Sequence, residues 1–190
     1  MNVVLIGYRA TGKSTVGKVL ATKLKIAFWD TDVMVEKSMA MPIKEIVALH
    51  GWDFFRAKER ETIECLTQKE DVVIATGGGV VLFRENVKLL KQNVDLLKQT
   101  GVIIWLNAPL QDIINRLKKD AQNEAIRPQF TSGNIVQETI DIMRKRLPLY
   151  ERAADYTVDT LSKDAEEVAE EIYQYLRKSG NLVKIVKSEN

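Results

Sequence analysis

Gly7-Tyr8-Arg9-Ala10-Thr11-Gly12-Lys13-Ser14 is the stretch on which the fold turns. It fits the pattern G-x-x-x-x-G-K-S/T, with Val3-Val4-Leu5-Ile6 before it and Val16, Val19, Leu20 and Leu24 after it. The apolar run before the motif reads as a buried parallel strand. The apolar residues after it repeat at helical spacing, so the loop turns a strand into a helix N-terminus. That context gives the motif its chemistry. Glycines let the backbone bend sharply and turn successive N–H groups inward, while unpaired amides and the positive dipole end of the helix favour an anion. Gly7, Ala10, Thr11, Gly12, Lys13, Ser14 and Thr15 are thus the expected cradle for the phosphates of a nucleotide. Lys13 would reach the β and γ phosphates, and the Ser14 hydroxyl would ligate Mg²⁺. A plain glycine-punctuated turn with a solvated lysine is the competing reading, and the strand-loop-helix context speaks against it.

Working outward, 190 residues with 45% hydrophobic and 28% charged content fit one globular domain of ordinary size. The domain is expected over residues 1–180, with a tail at 181–190. Lys and Arg number 28 against 26 acidic residues, a net charge of +2 that gives nucleic-acid binding no support. No apolar run approaches the length of a membrane span. A cytoplasmic location and a monomeric state are the expectations. Cys65 is the single cysteine and falls in a helical pattern with Ile63 and Leu66, which predicts a buried structural thiol.

Ile26-Ala27-Phe28-Trp29 reads as a second strand, ending in Asp30-Thr31-Asp32. In open α/β sheets, ligands gather beyond the carboxyl ends of strands, where these carboxylates fall. One carboxylate near a phosphate loop suits Mg²⁺ and a second suits an acceptor hydroxyl. Asp32 can equally be the N-cap of the helix that follows. Residues from Pro42 to Cys65 are helical, interrupted at Gly51, and place Glu59 on the face of Arg56. That pair is either an oriented guanidinium or an exposed helix pair. A third strand, Val72–Ala75, precedes Thr76-Gly77-Gly78-Gly79, where a ligand close to bare backbone explains the glycines better than a turn does. Val87, Leu90, Val94 and Leu97 predict one helix stripe, Val102–Leu106 a fourth strand, and Leu110, Ile113, Ile114 and Leu117 another helix. The polar stretch 118–133, containing Arg127-Pro128, reads as a lid or a solvated loop. A helix then carries Arg144, Arg146 and Tyr150. Tyr156-Thr157-Val158 predicts the fifth strand, and Val168, Ile172, Tyr175 and Leu176 the last helix. Alternating apolar strands and helices imply a parallel sheet covered on both faces, an α/β P-loop kinase-like fold.

Taken together, the chain resembles the shikimate kinases. The likeness rests on the P-loop continued as Lys13-Ser14-Thr15-Val16-Gly17, Asp30-Thr31-Asp32 ahead of Glu36, Phe55-Arg56 with Glu59, and Gly77-Gly78-Gly79. Arg127-Pro128, Arg146-Leu147-Pro148-Leu149-Tyr150 and Ala154-Asp155 complete it. The resemblance implies a five-stranded parallel core with an acceptor-binding region near 32–62 and a lid near 118–133. It also implies transfer of the ATP γ-phosphoryl group to the 3-hydroxyl of shikimate, on the route to chorismate. Carried onto this chain, Ser14 and Asp30 would serve Mg²⁺, Asp32 would bind the acceptor hydroxyls and take the proton, and Lys13 would bridge phosphates and acceptor. Arg56 and Arg146 would grip the shikimate carboxylate beside the backbone of Gly77, Gly78 and Gly79, and Arg127 would close onto the phosphates.

Departures from the family pattern bear on the nucleotide. Gln129-Phe130 follow the Arg-Pro where many relatives have leucines, and Arg116, Lys118 and Lys119 are open candidates for the adenine contact. A gluconate kinase-like enzyme and a catalytically silent nucleotide-binding module are the rival readings. The glycine triplet and the two aspartates favour shikimate over the first. The presence of Lys13, Ser14, Asp30, Asp32 and Arg127 together weighs against the second.

Overall fold

In the computed structural model, residues 1–93, 98–99, 101–122 and 135–181 are described. The chain runs β1 (Asn2–Ile6), α1 (Lys13–Leu24), β2 (Ala27–Asp30), α2 (Thr31–Met39), α3 (Ile43–Thr67) and β3 (Val72–Ala75). It continues through α4 (Arg84–Lys91), β4 (Gln92–Asn93), β5 (Lys98–Gln99), β6 (Gly101–Asn107), α5 (Leu110–Gln122), α6 (Ile135–Ala153), β7 (Tyr156–Asp159) and α7 (Ala165–Lys178). Five strands pair in parallel in the order β2-β3-β1-β6-β7, the sheet that the sequence predicts. Registers such as Leu5 opposite Ala75 and Ile104 bring the strand ends level.

Period-two alternation splits β1 between two cores. Val3 and Leu5 join Val73, Ile104 and Val158 beneath α1 and α7, with Leu20, Ile172 and Leu176 closing that layer. Val4 and Ile6 face the other way, packing with Ile74, Ile103 and Trp105 against Ile63, Leu66 and Tyr150. Both faces of the central strand are buried, which is why it reads as an unbroken apolar run. A smaller cluster of Val35, Ile43, Ile46 and Phe55 gives α2 and α3 a core of their own, over the carboxyl end of the sheet's β2 side. Strands β3 and β2 lie to one side of β1 and β6 and β7 to the other, so winding reverses at β1. A crevice opens at such a reversal, beyond the strand ends.

Several local expectations are corrected. The cap of α2 is Asp30, whose Oδ1 accepts from the N–H groups of Asp32 and Val33 at 3.0 and 3.4 Å; Asp32 is the second residue of the helix, within its first turn. The helix predicted through Leu97 ends at Lys91, and the chain passes into the antiparallel pairing of β4 with β5; Val94 and Leu97 lie outside the described residues. Helix α5 runs on to Gln122, so the start of the segment read as irregular, Lys118–Gln122, is helical. Cys65 is exposed rather than buried, because α3 turns Ile63 and Leu66 inward and leaves residue 65 outside. Gly51 interrupts α3 as expected, at φ 82° and ψ 172°. Among the described residues no helix is long and apolar enough to cross a membrane.

Candidate active site

The loop after β1 delivers the nucleotide side. Gly12 adopts φ 89° at the cap of α1, a conformation that costs a side-chain-bearing residue roughly 1–2 kcal/mol. Lys13 follows as the first residue of the helix and is buried, its Nζ donating to the Tyr8 carbonyl at 2.7 Å. Ser14 Oγ donates to Asp30 Oδ2 at 2.5 Å, so the ends of β1 and β2 meet through a hydroxyl and a carboxylate. Those are hard oxygen ligands, which is the chemistry Mg²⁺ selects, and Ser14 is exposed to whatever lies over the loop. Ala10, Thr11, Gly12 and Thr15 border a groove whose other wall is Arg116 together with Thr160, Lys163 and Asp164 after β7. Arg116 also donates to the Ala10 carbonyl at 3.1 Å. Of the candidates for the base contact, Arg116 therefore borders this groove, while Lys118 and Lys119 are exposed and do not line it.

On the other side of the loop lies a second cavity. Asp32, Arg56, Gly77, Gly78, Gly79 and Arg146 all line it. These positions span 115 residues of sequence and are brought together by α2, α3, the loop after β3, and α6. Arg56 Nη1 donates to Glu59 Oε2 at 2.7 Å; the carboxylate is 1% exposed, so this is an oriented guanidinium and not a surface helix pair. The Trp52 and Phe55 rings flank the same guanidinium at 5.5 and 5.2 Å. Arg146 is buried, and its Nη1 donates to the Gly78 carbonyl at 3.1 Å. Tyr150, one turn further along α6, donates its hydroxyl to that carbonyl at 2.5 Å.

The glycine triplet lines the cavity, and side chains of the protein crowd the backbone of its first and third members. A Cβ on Gly77 would lie 2.2 Å from Glu59 Oε1 and 3.0 Å from Asp32 Oδ1. A Cβ on Gly79 would lie 2.4 Å from Arg56 Nη2. The missing side chains are the space into which the acceptor-side charges fit. Gly79→Ala is accordingly expected to push the Arg56 guanidinium aside and raise the KM for an anionic acceptor about tenfold, as loss of one charge-assisted hydrogen bond would. Steady-state kinetics with the acceptor varied checks it; an unchanged KM would show that Arg56 moves without consequence.

Burial pushes the Tyr150 hydroxyl well above the ordinary phenol range, with the Arg146 charge opposing the rise. The folded protein holds this proton more tightly than the unfolded chain does. Its contribution to stability is complete below about pH 10 and declines as pH rises beyond that. Tyr150→Phe should flatten the alkaline limb of a denaturation-midpoint profile above about pH 10, and an unaltered limb would place the titration elsewhere.

Tyr8, Arg9, Ile43 and Trp52 also line this cavity. Sequence reasoning passes over Tyr8 and Arg9 because they occupy variable positions of the motif, and over the Thr160–Asp164 stretch because nothing local marks it. Arg127 lies outside the described residues.

The profile of one family, described as Shikimate kinase, matches residues 9–177. A shikimate kinase of Thermodesulfovibrio yellowstonii is 42% identical over 180 residues, covering 95% of this chain and 97% of that protein. One from Syntrophus aciditrophicus is 38% identical over 179 residues, covering 90% and 88%. Among solved structures, shikimate kinase from Acinetobacter baumannii in complex with shikimate superposes with a TM-score of 0.84 at 31% identity, covering 94% of this chain and 93% of that one.

Proposed function

The chain belongs to the shikimate kinase family, and from that premise we infer what each part of the crevice does. The reaction is transfer of the γ-phosphoryl group of ATP to the 3-hydroxyl of shikimate, giving shikimate 3-phosphate and ADP on the route to chorismate and the aromatic amino acids. The observation that carries the acceptor assignment is the convergence of Arg56, Arg146 and Asp32 on one cavity beside the P-loop. Two guanidiniums offer forked hydrogen bonding to one carboxylate, and a carboxylate within the same walls serves the hydroxyls.

Phosphoryl transfer asks the protein chiefly for positioning and charge stabilisation. Asp32 orients the reacting hydroxyl and accepts its proton, a role supported by its burial on the acceptor side. Lys13, whose Nζ reaches the Tyr8 carbonyl, neutralises the oxygens in transit. Gly7, Ala10, Thr11, Gly12 and Thr15 supply loop backbone to the phosphates, and Arg56 and Arg146 hold the carboxylate. Ser14 and Asp30 are the residues that would hold Mg²⁺, which would supply positive charge against that of the phosphates. The adenosine end of ATP is assigned to the groove between the P-loop and Thr160–Asp164. For Arg127, closure from a lid near 118–133 rests on the family's Arg-Pro motif alone.

An ADP-release assay with Mg·ATP and shikimate, quinate or gluconate tests the acceptor. Turnover on shikimate well above the other two and the no-acceptor blank is the expected result; activity on gluconate alone would overturn it.

A further inference from the structure

The P-loop changes sides at residue 9. Tyr8 and Arg9 line the acceptor cavity, while Ala10, Thr11 and Gly12 line the nucleotide groove. Arg9 Nη2 donates to Glu138 Oε1 at 2.7 Å, with the two side chains 10% and 2% exposed. Its guanidinium lies 5.5 Å from the Tyr8 ring centroid, and that of Arg146 lies 6.0 Å from the same ring. Glu138 stands in the first turn of α6, two turns before Arg146 on the same helix.

We propose that Arg9 is a third acceptor-binding cation of this cavity and that Glu138 is the positioning residue that fixes its guanidinium there. A buried ion pair is a poor source of stability, because desolvating both charges offsets most of their attraction. Orientation is the better account of this one. An arginine at the tip of a glycine-rich loop has many rotamers, and a carboxylate from a rigid helix selects one of them. The partner comes from the helix that also supplies Arg146, so one element sets the spacing of two cations around the Tyr8 ring.

Charge points the same way. Among the described residues, Arg9, Arg56 and Arg146 stand with Asp32, Glu59 and Glu138, and Lys13, on the Tyr8 carbonyl, adds one positive charge. A monoanionic acceptor neutralises that excess. Removing Arg9 leaves the Glu138 carboxylate buried near the cavity and turns the balance against an anion.

The inference rests on the cavity being the acceptor site, and its test separates the two. Arg9→Ala should raise the shikimate KM about tenfold or more, as loss of a charge-assisted hydrogen bond does, with the ATP KM within about twofold of wild type. Glu138→Ala should raise the shikimate KM less, Glu138→Gln less again because its amide oxygen still accepts from Arg9. In an Arg9→Ala background, Glu138→Ala should raise that KM no further and should lower it in part, since Glu138 acts through Arg9 and the carboxylate left behind repels an anion. Arg9→Lys keeps the charge without the fork and should give an intermediate KM, which keeps the question answerable if the alanine variant does not fold. Additive effects of the two alanines, or lowered thermal stability with the shikimate KM unmoved, overturn the proposal. If Arg146→Ala raises that KM and Arg9→Ala does not, this inference fails alone; if neither does, the cavity assignment fails with it.

Discussion

Asp32→Asn is expected to lower kcat by about 10²–10⁴-fold, the range typical of a lost general base, while ATP affinity stays within about twofold. The substitution is isosteric, so the first turn of α2 keeps its shape, and the cap that holds that turn belongs to Asp30. Asp32 Oδ1 lies on the acceptor side, against the bare backbone of Gly77. The amide keeps hydrogen-bonding capacity toward a hydroxyl and loses the ability to take its proton. Binding of both substrates should therefore outlast catalysis. Steady-state turnover paired with calorimetric titration of ATP makes the comparison; turnover within about tenfold of wild type would remove Asp32 from the proton transfer.

Arg146→Ala should raise the shikimate KM by about 10²-fold or more, with a much smaller change for ATP. Hydrogen bonds to a charged group contribute about 1.5–3 kcal/mol each, and a forked guanidinium makes two. Arg146 is 6% exposed and already anchored on the Gly78 carbonyl, so little rotamer freedom is lost when it takes a carboxylate. Arg146→Lys should recover only part of the loss, because an ammonium cannot reproduce the planar fork. Equal rises in both KM values would argue for a general disturbance of the crevice rather than a carboxylate clamp.

Much of this architecture is written in local pattern. The apolar run 3–6 and the glycine-lysine-serine loop fix a strand, a turn and a helix within two dozen residues, and the remaining strands announce themselves by the same β-branched runs. Asp30, Asp32, Arg56 and the glycine triplet were legible because each stands directly after a strand or on a periodic helix face. The burial of Glu59 was not, since an i,i+3 pair looks the same in solvent as in a core. Nor was the crowding of Gly77 and Gly79, which depends on α3 laying its charges across the loop after β3. Arg9 and Glu138 are 129 residues apart, and a pairing of that span leaves no trace in spacing. Cys65 misled because Ile63 and Leu66 share its neighbourhood in sequence but not its side of the helix.

The most direct test of the acceptor assignment is a crystal structure with shikimate and ADP bound. The account predicts the shikimate carboxylate between Arg56 and Arg146, with a ring hydroxyl against Asp32 and the ring beside Gly78 and Gly79. Shikimate seated elsewhere, or with its carboxylate turned away from both arginines, would contradict it.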